Sequence, residues 1–232
     1  MNKIFFALLF VLVANDIDLD SIMFQNFQKF IKKYQKNYSS MNEFLARYEV
    51  FKRNVISTFK KENSSYKQGI TKFSDLTQQE FKKIYLNLDY NALAFANFDP
   101  YIFNSKNSAP ISWDWREQGY VSPVKDQGSC GSCWAFVTID NLESIYYKEK
   151  HVYVPFSVQF LIDCDTYDSG CNGGLMENAL TWLIQNGIMK ENDYPYTGKK
   201  GICRKDPSKY IDMKVIGYKK LGNLLQNLVP SR

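Results

Sequence analysis

Apolar positions along this chain follow distinct rhythms, and each predicts an element. Residues 4–14, Ile4-Phe5-Phe6-Ala7-Leu8-Leu9-Phe10-Val11-Leu12-Val13-Ala14, are an unbroken apolar run behind the single charge of Lys3. That order is a secretory signal pattern over residues 1–14, and the run is too short to span a bilayer. Leu12 is a poor residue for the cleavage site, and a buried N-terminal helix is the alternative. Between Asp20 and Leu88 the spacing becomes helical. Phe27, Phe30, Ile31 and Tyr34 make one stripe, and Phe44, Tyr48, Phe51 and Val55 a second, as in amphipathic helices with one buried face. Glu43 precedes Arg47 by four residues, the acid-first order that supports a helix. Residues 89–108 have no period and several turn formers, which predicts a linker. From Cys133 the apolar residues step by three through Phe136, Ile139, Leu142 and Ile145, so a helix should begin at or near Cys133. Leu221 to Arg232 reads as one more helix, cut short.

Composition narrows the class. The 232 residues can hold one large domain or two small ones, and contents of 45% hydrophobic and 16% aromatic residues are enough for a core, which excludes a disordered chain. The net charge of +5 is uneven: residues 20–108 carry 14 basic and 8 acidic side chains, residues 109–232 carry 14 of each. No lysine or arginine run accompanies the excess, so a solvated surface is expected and nucleic-acid binding is not. The five cysteines all lie between Cys130 and Cys203. An odd count suggests two disulfides and one free thiol, with the pairing open, and disulfides call for an oxidising compartment.

The candidate chemistry is concentrated in Gln127-Gly128-Ser129-Cys130-Gly131-Ser132-Cys133-Trp134-Ala135-Phe136. At a helix N-terminus the unpaired N–H groups and the positive dipole end favour a thiolate, the nucleophilic form of cysteine. Gly128 and Gly131 permit a sharp turn with room for a ligand. Gln127, six residues upstream, can aim its amide at an oxygen beside the sulfur, as an oxyanion hole requires. This segment resembles the active-site segment of papain-like cysteine proteases, for which the Cys-Gly-Ser/Ala-Cys-Trp signature is known. The resemblance extends both ways. Glu43-x3-Arg47-x2-Val50-Phe51-x2-Asn54 and Gly69-Ile70-Thr71-Lys72-Phe73-Ser74-Asp75 resemble the pro-region of cathepsin-L-like zymogens, with Thr58, Glu62 and Thr71 departing from its pattern. Ala109 to Arg116 resembles the start of a mature enzyme, where Trp113 and Trp115 should be packing anchors. Pro155 to Cys164 resembles a family helix start in which Val158 replaces the usual Glu, predicting a weaker cap. Cys171-Asn172-Gly173-Gly174-Leu175-Met176, Asp193-Tyr194-Pro195-Tyr196 and Cys203 also match.

The resemblance implies an α+β, papain-like fold: an α-helical propeptide, an intact helical left lobe and an incomplete β-rich right lobe. It implies a signal peptide at 1–14, an inhibitory propeptide at 20–108 and a partial peptidase domain at 109–232. It implies that Cys133 is the nucleophile and Gln127 the oxyanion donor, that Gly173 and Gly174 bind substrate backbone, and that Leu175 and Met176 line an apolar pocket. The implied disulfides are Cys130–Cys171 and Cys164–Cys203. The implied partners are protein or peptide substrates and the chain's own propeptide, crossing the cleft within residues 89–108. No cofactor, metal or stable membrane anchor is expected, and a monomer is. The route is secretory, to a lysosome, a vacuole or the exterior, with Asn37 and Asn63 in glycosylation patterns.

The general base is the missing part. The family places its His and Asn about 130–150 residues beyond the cysteine, past Arg232. The one histidine, His151, follows Cys133 by eighteen residues; across a helix that is more than about 20 Å, against about 3 Å for proton transfer. The expectation is therefore a cysteine endopeptidase zymogen by family that is inactive as this chain stands, with a propeptide-type inhibitor as the alternative. Cys130 and Cys133 as a redox pair is a weaker reading, given the three other cysteines and the flanking Gln127 and Trp134, and half a zinc site is another, because no second Cys-x2-Cys or suitable His accompanies them.

Overall fold

The computed structural model describes residues 19–59, 66–86 and 110–219, without the side chain of Phe59. The 1–14 apolar run, the 89–108 linker, Asn63 and the 221–232 segment lie outside the described residues. The chain forms two compact units, residues 1–81 and 82–232.

The first unit is built on two helices, α1 (residues 19–34) and α2 (Met41–Phe59). The two predicted stripes face one another: Phe27, Phe30, Tyr48, Phe51 and Val55 are buried, with Phe44 at the edge. Phe27 is the hub, with ring centroids of Phe44, Tyr48 and Phe51 at 5.4, 5.4 and 5.1 Å. The start of α2 is closed on both sides. Ser40 Oγ accepts from Glu43 N at 3.1 Å, while Glu43 Oε2 accepts from Ser39 N at 2.7 Å, a capping box displaced by one residue. Arg47 and Asn54, seven residues or two turns apart, point the same way. Arg47 Nη1 donates to Asp75 O and to Glu80 Oε1 at 3.1 and 2.8 Å, and Asn54 Nδ2 donates to Ser74 O and Leu76 O, both at 2.9 Å. The 71–77 turn is thereby held against α2. Asp75, 2% exposed, accepts from Lys36 Nζ at 2.8 Å and from Tyr38 OH at 3.0 Å. A third helix, α3 (Gln78–Tyr85), follows; Thr77 and Glu80 cap it reciprocally.

The second unit holds α4 (Cys133–Lys150), α5 (Val158–Cys164), α6 (Met176–Asn186) and a short 3₁₀ turn, Pro207–Lys209. Among the described residues the β structure amounts to three isolated bridges, Gly131 to Asn172, Phe156 to Lys190 and Met189 to Tyr210. The helix at Cys133 forms as predicted, but its buried face is turned. Trp134, Ala135, Thr138, Ile139, Leu142 and Glu143 are buried, Phe136 is half-buried, and Ile145 is 45% exposed. Steps of three residues fall about 60° short of a full turn each time in a helix of 3.6 residues per turn, so the stripe leaves the core by Ile145. Buried Glu143 is neutralised: Lys125 Nζ lies 2.7 Å from Glu143 and 2.8 Å from Asp140. Burial pulls the Lys125 ammonium down, but those two carboxylates outweigh it and raise it.

Val158 does stand where a helix-capping glutamate would help, and α5 is only seven residues long. Ser157 Oγ caps it, accepting from Phe160 N at 2.9 Å and donating to Tyr194 O at 2.5 Å, and the Glu191 carboxylate accepts from Val158 N beside it. Trp113 and Trp115 are not buried anchors: they are 55% and 52% exposed. They stand edge-on to each other at 5.4 Å, and the series continues through Tyr120 to Tyr147 on α4.

Candidate active site

Cys133 is the first residue of α4 and the one unpaired cysteine, and it is exposed. The other four cysteines are joined as Cys130–Cys171 and Cys164–Cys203. The first disulfide ties the residues before Cys133 to the Gly173-Gly174 motif. Beside it Gly131 N donates to Cys171 O at 2.9 Å, and Gly131 and Asn172 form a parallel bridge. Just beyond Cys133, Trp134 Nε1 donates to Gly170 O at 3.0 Å from a buried position. The disulfide, the parallel bridge and the indole bond thus bring together two motifs separated by about forty residues of chain.

Gln127 is half-buried and held by the same turn, its amide nitrogen donating to Cys130 O at 2.8 Å. That nitrogen also lies 3.4 Å from the carbonyl of Tyr85, at the end of α3. The Gln127 carbonyl accepts from Tyr196 OH at 2.6 Å, and the same hydroxyl lies 3.1 Å from Ser132 Oγ. Tyr196 therefore grips the loop on both sides of the Cys130 disulfide, and its ring sets edge-on against Phe136 at 5.1 Å. Burial pushes the Tyr196 phenol up, which keeps it a neutral donor. Sequence reasoning noted Tyr196 only as part of a matching Tyr-Pro-Tyr motif; its grip on the loop is visible only in three dimensions.

Gly173 is buried, with φ +107°, a region costly for any other residue. Gly174 faces Trp134 so closely that a Cβ there would lie 2.7 Å from the indole Cδ2. Leu175 is half-buried and Met176 is 40% exposed at the first turn of α6. Leu175, the N-cap, offers no side-chain cap; Asp168 supplies one from outside, accepting from Leu175 N at 2.9 Å and from Asn178 Nδ2 at 3.1 Å. His151 is exposed at the C-cap of α4, the far end of the helix that begins at Cys133, more than about 20 Å away along the axis. A cavity of about 240 Å³ is lined by Lys125, Phe136, Phe156, Val158, Glu191 and Tyr196, among others. Neither Cys133 nor the 173–176 segment lines it. Among the described residues no group of three or more His, Cys, Asp or Glu side chains is arranged to hold a metal ion. No helix there is long and apolar enough to cross a membrane.

The second unit thus places a lone exposed thiol on the first turn of a helix, a carboxamide bonded to Cys130 O and a glycine segment tied alongside by a disulfide. The chain belongs to the papain family of cysteine proteases: that family's profile matches residues 109–227, and the profile of the cathepsin propeptide inhibitor domain matches residues 27–81. Among curated relatives, cysteine proteinase 15A of Pisum sativum is 42% identical over 198 residues, covering 80% of this chain and 54% of its own length. Chymopapain of Carica papaya is 36% identical, covering 88% of this chain and 60% of its own length. This chain thus spans little more than half the length of these two plant relatives. In solved structures, digestive procathepsin L2 of Tenebrio molitor superposes with a TM-score of 0.78 at 32% identity, covering 89% of this chain and 71% of that one. These likenesses establish a papain-like fold behind an inhibitory propeptide domain.

Proposed function

We propose that this chain carries the pro-region and the nucleophile-bearing portion of a cysteine endopeptidase zymogen that travels the secretory route to a lysosome, a vacuole or the exterior. One observation carries the reading: the single unpaired cysteine is exposed at the first residue of α4, with the Gly173–Met176 segment tied beside it. Cys133 attacks the scissile carbonyl of a protein or peptide as its thiolate, forming a C–S bond. The oxyanion is met by the N–H of Cys133, which has no intrahelical acceptor at that position, and by the second hydrogen of the Gln127 amide. Collapse breaks the C–N bond, the amine leaves with a proton, and water releases the acyl group. Gly173 and Gly174 offer backbone to the substrate, and Leu175 and Met176 an apolar surface. The Tyr85 carbonyl beside the Gln127 amide supports a pro-region that covers this site before activation. The base that relays the proton is not His151, so turnover depends on an imidazole that these residues do not include.

The test is covalent labelling of the 232-residue chain by a peptidyl electrophile with an apolar residue two positions before the reactive carbon. The expected result is one adduct, at Cys133, lost in Cys133→Ser, with no turnover of the matching peptide. An unlabelled Cys133 under conditions where the chain is folded would sink the nucleophile assignment. Turnover abolished by Cys133→Ser would sink the claim that a base is lacking. A second reading is favoured by the separate core of the first unit and its match to a propeptide inhibitor domain: residues 20–108 inhibit related peptidases in trans. Nanomolar inhibition of a cathepsin-L-like enzyme by that segment supports it, and none at micromolar concentration ends it.

A further inference from the structure

Outside the thiol centre, two neighbouring carboxyls each have one buried oxygen that nothing above employs. Asp165 and Asp168 lie on the loop from α5 to Cys171. Asp165 is 2% exposed and its Oδ1 accepts from Tyr167 N at 2.7 Å. Asp168 Oδ1 carries the external cap of α6, from Leu175 N and Asn178 Nδ2. The other oxygen of each, Oδ2, is buried with no hydrogen-bond partner, and the two side chains lie within hydrogen-bonding range of each other. Ionised carboxylates are acceptors only. Two neighbouring buried carboxylates leave these oxygens unsatisfied and repel each other, whereas one proton converts either carboxyl into a donor to the other.

We propose that Asp165 and Asp168 share a single proton, and that the protonated pair is a positioning element for the Gly173–Met176 segment. The geometry leaves Asp168 little freedom. Its Cγ and the Trp134 indole each stand 2.7 Å from the point where a Gly174 Cβ would lie, so the glycine is wedged between them. When the shared proton leaves, two like charges separate, and Asp168 can move only by dragging Leu175 N and Asn178 or by pressing on Gly174 and Trp134. Either movement shifts the segment beside Cys133. The charged group facing the pair is Lys200, whose stem crosses Gly170 and whose ammonium favours the anion on Asp165. The neighbours from α4 and α6, Trp134 and Asn178, are neutral. Burial first, and then the Asp165 charge, hold Asp168 up at about 7 against the Leu175 and Asn178 bonds, which pull it down; burial also raises Asp165. The consequence for substrate rests on the peptidase reading, but the shared proton does not.

The test uses the whole chain and needs no turnover. Tryptophan fluorescence and amide-exchange protection of residues 173–178 are followed between about pH 5 and pH 9 for wild type, Asp168→Asn and Asp165→Asn. The expected result is a wild-type transition near neutrality in both signals, with protection lost on the alkaline side while α4 residues 138–146 are unchanged. Asp168→Asn keeps the acceptor for Leu175 and presents an N–H to Asp165, so it should hold the protected state across the range. Asp165→Asn should move the midpoint down by at least about one pH unit. A flat wild-type profile, or a midpoint unmoved by both substitutions, overturns the proposal. If neither variant folds, the wild-type contrast between 173–178 and 138–146 decides alone. Failure of the peptidase reading would abolish labelling by the peptidyl electrophile and leave these two transitions intact.

Discussion

Replacing Gly174 with alanine tests the site at its tightest point. The added Cβ would stand 2.7 Å from Asp168 Cγ, 2.7 Å from Trp134 Cδ2 and 2.8 Å from Asp168 Cβ, where carbon contacts are comfortable at about 3.5–4.0 Å. Neighbours on two sides must therefore yield by about 0.7–1.3 Å. Neither is a loose chain end. The indole is pinned through Nε1 to Gly170 O, and Asp168 holds Leu175 N and Asn178. Overpacking of this kind costs about 1–3 kcal/mol, and surrendering one of those hydrogen bonds adds about 1 kcal/mol. A loss of about 2–4 kcal/mol is expected in urea unfolding followed by tryptophan fluorescence. The functional readout compares two alkylations of Cys133. Iodoacetamide, which needs only the thiol, should react within about twofold of wild type. A peptidyl electrophile, which needs the 173–176 segment, should slow by at least about tenfold, the equivalent of about 1.4 kcal/mol. Equal slowing of both reagents, or a stability change below about 0.5 kcal/mol, would refute the claim that Gly174 is there for close approach.

Three further outcomes follow from the contacts. Asp75→Ala strands Lys36 and Tyr38 against a buried site, and should cost the first unit about 3 kcal/mol, toward the low end for a broken buried pair because Lys36 reaches water; faster proteolysis within residues 19–81 than elsewhere in the chain checks it. Tyr196→Phe keeps the ring on Phe136 but removes the bond to Gln127 O; a loss of about 1 kcal/mol and a slower peptidyl labelling of Cys133 are expected, and unchanged labelling would show that the grip on the loop is idle. The raised Asp168 carboxyl makes the second unit bind a proton more tightly folded than unfolded, so its stability should fall as pH rises from about 4 to about 7 and stay low above that. Three pKa units correspond to about 4 kcal/mol before screening, and the partial exposure of the rest of the side chain reduces this to about 2 kcal/mol; urea midpoints at about pH 5 and pH 8, with Asp168→Asn flattening the difference, check the sign.

The local elements were readable because their cause is local. Phe27, Phe30, Tyr48, Phe51 and Val55 were legible as two buried stripes, since helical periodicity requires only neighbours three or four residues apart. The same reasoning found only part of the face of α4: Ile139 and Leu142 are buried as expected, but steps of three drift round the helix, so Trp134 and Ala135 are buried and Ile145 is not. Trp113 and Trp115 were expected to be packing anchors, yet they meet edge-on near solvent and pack chiefly within an aromatic series.

By itself the sequence determined the helical stripes of the first unit, the helix that begins at Cys133, the odd cysteine count and, through unbroken motifs, the family. Those depend on residue type and short spacing, which survive any arrangement of the rest. Only the tertiary structure decided how distant residues meet: the Cys130–Cys171 link, Tyr196 on Gln127 and Trp134 on Gly170. Hydrogen bonds and burial act over about 3 Å in space, whatever the separation along the chain, so contacts across thirty to seventy residues exist only once the loops between them have closed.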